Sequence, residues 1–187
     1  MKYKRLEWSL FYEAGPIDEA VDFTSWRNDI SQFLWSLGAG VLDPCNKPTD
    51  DNEDNAFRKK LTDLKDHKNW NELSSLMRRI VTVDLHLVDL STAVILHLDK
   101  KIHMCGSYFE ANYGCLERKP LIVHCPTGKN TIPNWLFGIT KHELFFETWD
   151  QVKEYLRHIH EDESVNDLGG RWKFLDYDKI FGRTKNV

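Results

Sequence analysis

The sequence has no long apolar run, few cysteines and no strong charge of either sign, and each absence removes a class of function. No stretch approaches the roughly 20 apolar residues that a membrane span needs, so no membrane is expected as a partner. The opening "MKYKRLEWSLFYEAG" is basic, but its apolar part is short and broken by Glu7 and Glu13, so it does not read as a signal peptide. A formal net charge of −4 sets up no basic field for a nucleic-acid polymer. The four cysteines, Cys45, Cys105, Cys115 and Cys125, include no C-x-x-C pair. Reduced, semi-buried thiols of a cytoplasmic protein are expected, and not a disulfide or zinc framework. Phosphate-binding G-x-x-x-x-G-K-[ST], dinucleotide-binding G-x-G-x-x-G and zinc-binding H-E-x-x-H are all absent, so neither a cofactor nor a catalytic metal is expected.

What is present fits one soluble domain: 187 residues, 41% hydrophobic and 29% charged, enough to bury a real core. "EWSLFYEA" (7–14) reads as a strand that runs into a turn at "GPID". "TSWRNDISQFLWSLG" (24–38) places Trp26, Ile30, Phe33, Leu34 and Leu37 on one helical face. "AGVLDP" (39–44) is a second short strand stopped by Pro44. The charged stretch 46–72 is expected to be a surface excursion with one short helix near 55–65. A helix from Leu73 to about Asp89 follows, and then "TAVILHL" (92–98), a run of strand length with no polar alternation, as in a parallel strand covered on both faces. A helix over 106–119, the strand "PLIVHC", a polar loop over 127–135, the strand "ELFFET" and an amphipathic helix over 149–161 complete the pattern. This alternation argues an α/β domain with a mostly parallel sheet over residues 1–165. The tail 166–187, with Arg171, Trp172 and Tyr177, is too apolar to be free and is expected to pack on the domain or on a neighbouring subunit.

Ligands of open α/β sheets sit beyond the carboxyl ends of the strands, where strand order reverses. The chain offers three features there: the loop from Tyr12 through Gly15, Pro16, Ile17 and Asp18, the loop after "VILHLD", and the helix start at Gly106 and Ser107. Gly15 lets backbone approach a ligand and Pro16 stiffens the turn. Gly106 and Ser107 present N–H groups and a hydroxyl to an anionic or hydroxyl-rich group. Glu110, one turn into that helix, reads either as a solvated first-turn acid or as a reactive carboxylate. Asp84, among Ile80, Val81, Leu85 and Val88, reads either as a buried cap or as a second acid of the cleft. Asp89 fits helix termination and Arg27 an exposed helix position, though both are candidate ligand contacts. His97, on an apolar strand, reads as a core residue. Two carboxylates and a phenol in one cleft suit displacement at a sugar's anomeric carbon.

The ordered set "YEAGPID", "WR", "LDP", "VDLHLVDLSTAVILHLD", "GSYFEANYG" and "KPLIVH" resembles the landmarks of the nucleoside 2-deoxyribosyltransferase-like superfamily over roughly residues 8–160. That resemblance implies a flavodoxin/Rossmann-like three-layer sandwich with a mostly parallel five-stranded sheet. It implies cleavage of the N-glycosidic bond of a (2′-deoxy)nucleoside or nucleotide, with the sugar passed to another base or to water. Glu110 is then the nucleophile, Asp84 a sugar or leaving-base contact, and Tyr12 the group that orients Glu110. Gly106 and Ser107 line the sugar or phosphate pocket. A homodimer or higher homo-oligomer is implied, with the tail of one chain completing another's site and the 46–72 excursion as a lid. Met104 departs from the family's usual Asp or Ser six residues before the nucleophile, which leaves that contact to Ser107 or His103. The acidic Asp18, Glu19 and Asp22 replace the basic first loop of the hydrolases. Two other readings stay open, an NAD-type glycohydrolase and a non-catalytic nucleotide sensor, and Met104 favours the second.

Overall fold

The structure, a computed structural model, describes residues 4–17, 20–47, 54–161, 171–175, 180 and 182. The elements are β1 (Leu10–Ala14), α1 (Ser25–Ser36), β2 (Gly40–Leu42), α2 (Asn55–Asp66), α3 (Trp70–Leu90), β3 (Ala93–His97), α4 (Cys105–Leu116), β4 (Leu121–His124), α5 (Asn134–Ile139), β5 (Phe145–Phe146) and α6 (Trp149–Glu161). The strands form one sheet in the order β2-β1-β3-β4-β5, and every neighbouring pair is parallel. The expected three-layer α/β arrangement is therefore present, with a sheet that is wholly parallel.

The central strands are apolar because both faces are covered. Residues 93–96 of β3 and all four residues of β4 are buried. On one face Phe11, Ile95 and Ile122 meet α1 through Ile30 and Leu34, and α6 through Val152, Leu156 and Ile159. On the other, Tyr12, Val94, Leu96 and Val123 meet α3 through Leu87 and Val88, α4 through Ala111 and α5 through Leu136. One helix, α5, begins at the end of the polar loop expected over 127–135 and continues to Ile139, where no helix was expected.

The charged excursion carries α2, which packs on the first half of α3 through Leu61, Leu64 and Leu76. With 21 residues, α3 is about 31 Å long at 1.5 Å per residue. The five-residue strand β3 spans only about 16 Å. Because Val88 packs beside Val94, the first ten or so residues of α3 stand beyond the carboxyl edge of the sheet, with α2 against them.

Residues 171–175 of the tail pack on their own domain. Trp172 is buried against Phe11, donates its indole N–H to the Tyr155 hydroxyl at 2.9 Å and stacks on Phe174. Arg171 donates to the carbonyls of Lys119 and Ile139. These contacts lie at the amino-terminal rim of the sheet, so residues 171–175 do not sit at the edge where the ligand loops gather, and Tyr177 lies outside the described residues. None of the four cysteines is in a disulfide, and Cys105 is exposed rather than semi-buried. Among the described residues no helix is long and apolar enough to cross a membrane.

Candidate active site

Strand order reverses between β1 and β3, since α1 leaves β1 over one face and α4 leaves β3 over the other. The resulting crevice opens beyond the carboxyl ends of these strands. Gly15 and Pro16 are buried at its rim and Ile17 is half-buried, while Asp18 lies outside the described residues. A Cβ on Gly15 would lie 2.5 Å from the Trp26 ring, so only glycine allows the turn to rest on that indole.

Glu110 lies on the inward stripe of α4. Ser107, Ala111 and Gly114 are the buried residues of that helix, and positions 107, 110, 111 and 114 share one helical face. Glu110 is half-buried on that stripe and is the sixth residue of α4, past its first turn. Gly114 fixes how close the helix comes: a Cβ there would lie 2.8 Å from Val94 Cγ2 and 3.7 Å from Val88 Cγ1. Glu110 and Asp84 each precede their partner in that contact by four residues, one turn or about 6 Å toward the crevice. The two acids therefore stand at equal height on neighbouring helices. Gly114→Ala is expected to destabilise the fold by about 1–3 kcal/mol through overpacking against Val94, read by urea denaturation.

Tyr12 is also on this side of the sheet, but within β1 and not at its edge. It is fully buried and shares a core cluster with Leu96, Met104 and Ala111. Asp84 is 5% exposed and carries an ion pair with a partner that sequence reading missed. Lys47, after β2, places its buried Nζ 2.7 Å from Asp84 Oδ1. Asp84 is thus not an isolated acid.

Asp89 does not join this group. It is exposed, accepts from the Tyr113 hydroxyl at 2.8 Å and precedes the start of β3 by four residues, at the rim opposite the crevice. Its candidacy as a ligand contact is corrected by direction alone: α3 runs down the sheet, and residue 89 is near its foot. Arg27 is corrected as well. It is 1% exposed, not an exposed helix residue. Its guanidinium donates to the carbonyls of Phe23 and Gly15, the latter at 3.1 Å, and its Nε lies 3.3 Å from Asp43. A guanidinium so committed is not waiting for a phosphate.

Gly106 is exposed with open space around it and is the second residue of α4. Ser107 is buried and His103 exposed. Met104 turns inward, and its Sδ accepts the Asp99 N–H at 3.3 Å, so the thioether secures the β3 loop instead of presenting a polar group to the crevice.

The opposite face of the sheet holds His97, expected as a core residue, together with Glu13 and His124, which the sequence reading did not single out. Glu13 is fully buried, and burial, reinforced by Asp43, pushes its carboxyl up to about 8 against the hydrogen bond from Ser31 and the charge of Arg27. His97 and His124, register partners at the ends of β3 and β4, meet Nδ1 to Nδ1 at 2.8 Å and lie among Trp26 and Trp149. One of those nitrogens must donate and the other accept, so the contact fails if both rings are protonated. Burial holds His97 down at about 4 with help from Arg27, and His124 down at about 3 with help from His97. Because both folded values lie below the unfolded one near 6.5, the unfolded chain takes up protons first as pH falls. The share of stability that these two rings contribute is full above about pH 6.5 and is expected to drop between there and about 4 for His97 and about 3 for His124. Glu13 partly offsets this, because its raised carboxyl contributes in the opposite sense as pH falls below about 8. Urea midpoints at pH 7 and 5 measure the drop, and His97→Gln reduces it.

No family model matches the chain, and no curated protein sequence matches it. Among solved structures, the 2-deoxyribosyltransferase of the psychrotolerant bacterium Bacillus psychrosaccharolyticus superposes with a TM-score of 0.56 at 18% identity, covering 79% of this chain and 92% of that one. The chain has the fold of a 2-deoxyribosyltransferase. A second such enzyme, from Leishmania mexicana, superposes with a TM-score of 0.47 at 14% identity, covering 80% of this chain and 98% of that one. The Bacillus enzyme is described as a biocatalyst for making nucleosides.

Proposed function

We propose that this protein cleaves the N-glycosidic bond of a 2′-deoxynucleoside or its nucleotide and transfers the sugar to another base or to water. The observation that carries the reading is the equal height of Glu110 and Asp84, one turn above the Gly114–Val88 contact, at the point where strand order reverses. The shared fold with an enzyme that transfers 2-deoxyribosyl groups supports it.

In this reading Glu110 attacks C1′ as the C1′–N bond breaks, and the bonding electron pair leaves with the base, which takes up a proton. The product is a sugar ester on Glu110. A second base, or water, then attacks C1′ from the vacated side, and the carboxylate is regenerated with no net oxidation. Asp84, kept in place by Lys47, holds a sugar hydroxyl, Tyr12 orients Glu110 from beneath, and the first turn of α4 at Gly106 and Ser107 borders the sugar or its 5′ group. The α2–α3 hairpin, standing beyond the sheet edge, forms a wall beside the base.

The test is incubation with a panel of deoxynucleosides and deoxynucleoside monophosphates, with and without an acceptor base, followed by chromatography. Release of free base from at least one donor is the expected result. An acceptor-dependent new nucleoside identifies transfer, and base plus free sugar identifies hydrolysis. Ligand binding with no base released from any donor would remove the reading.

A further inference from the structure

Arg27 is the largest fully buried side chain of the described residues. A cation so deep is retained only where its hydrogen bonds and charge are met. Here two hydrogen bonds go to backbone carbonyls and the charge is paired with a carboxylate, while Nε has no hydrogen-bond partner of its own. One arm donates to the Gly15 carbonyl in the loop after β1, the other to the Phe23 carbonyl just before α1, and Nε lies 3.3 Å from Asp43, immediately after β2. The guanidinium also lies over the Trp26 ring, 4.3 Å from its centroid, on the indole that supports Gly15. One side chain therefore ties together the two loops that leave β1 and β2 beside the crevice. The second of these runs on to Lys47, the partner of Asp84.

Glu13 stands behind this clamp. Its Oε1 accepts the Ser31 hydroxyl at 2.9 Å, while Oε2 is buried without a hydrogen-bond partner. With Glu13 neutral, the cluster holds one cation and one anion, and Asp43 alone claims Nε. An ionised Glu13 would be a second buried anion competing for the same guanidinium. Among the described residues, the other charged or titratable groups on this face include His97 of β3, His124 of β4 and, on α6, the buried Tyr155 and His160, Arg157 over the Phe33 ring of α1, and Lys153, which pairs outward with Asp29 of α1.

We propose that Arg27 is a positioning residue that fixes the β1 loop through Gly15 and the β2 loop through Asp43, and that the buried acid Glu13 decides by its proton whether that grip holds. The loop-fixing part stands on geometry alone; its bearing on turnover rests on the reading of the crevice given above.

Hydrogen–deuterium exchange of the intact protein tests the first part without any substrate. In Arg27→Lys, residues 15–17 and 43–47 are expected to exchange about tenfold faster or more, with the core of β3 and β4 unchanged, because an ammonium cannot reproduce a three-way fork. With a donor that the wild type cleaves, KM rises about tenfold while kcat changes much less, the pattern of lost positioning. Exchange of the two segments also steps up as pH passes about 8, beyond the intrinsic base-catalysed rise, and Glu13→Gln removes that step. If Arg27→Lys does not fold, Asp43→Asn reads the same contact, with faster exchange expected at 43–47. Unchanged exchange at both segments in either variant, or a uniform increase through the whole chain, overturns the clamp. A pH step that survives in Glu13→Gln overturns the role of the acid. A wild type that cleaves no donor defeats the functional reading and leaves the exchange result to be judged separately.

Discussion

Glu110→Ala is expected to release no measurable base, a loss of about 10⁴-fold or more, while its melting temperature stays within a few degrees of wild type. The size follows from the role: a carboxylate that forms the bond to C1′ has no substitute when removed, whereas a group that merely lines the pocket costs far less. The modest effect on stability follows from its position, since Glu110 is only half-buried and Ala111, Ser107 and Gly114 carry the packing of that face. Glu110→Gln separates charge from shape, because an amide of the same size cannot form the ester and is expected to be equally inactive. Intact-mass measurement of wild type quenched during turnover should show a sugar adduct that neither variant forms. Near-normal turnover by the alanine variant would end the mechanism, whatever the fold.

The second large effect falls on stability. Asp84→Ala removes the carboxylate that lies 2.7 Å from the buried Lys47 ammonium. Removing one partner of a buried ion pair typically costs about 3–5 kcal/mol, while replacing both by apolar groups of similar volume is often close to neutral. Asp84→Leu with Lys47→Met should therefore recover most of the stability lost in Asp84→Ala. It should recover none of the activity, because the acid is still missing. Urea denaturation gives the first comparison and base release the second. A single variant as stable as wild type would mean that the pair is not the buried contact described here.

Much of the architecture was legible because the signals were local. The runs "TAVILHL" and "PLIVHC" have no polar alternation, which a strand covered on both faces permits and a half-exposed strand does not. The short helix expected near 55–65 is α2, Asn55–Asp66. What escaped was long-range or one residue out of phase. Lys47 sits in "CNKPTDD", which reads as solvated surface, and nothing in its neighbourhood tells that it returns to α3. On α1 the buried stripe is Arg27, Ile30, Ser31 and Leu34, rotated slightly from the one drawn through Trp26 and Phe33, so the arginine was placed outside. Glu13 could have been found: in a central strand covered on both sides, every side chain points into protein. Helix α5 escaped because six residues after Pro133 are too few for a periodic signal.

The outer strands of the sheet have a consequence for how copies of the chain can meet. β2 has three residues and β5 two, so each border offers only a few backbone groups to a visiting strand. Extension of the sheet from one molecule into the next is disfavoured by that taper. Any stable assembly must instead bring helical surfaces together, and its strength should respond to exposed aromatic side chains such as Phe109 and Trp135, and hardly at all to changes along the borders.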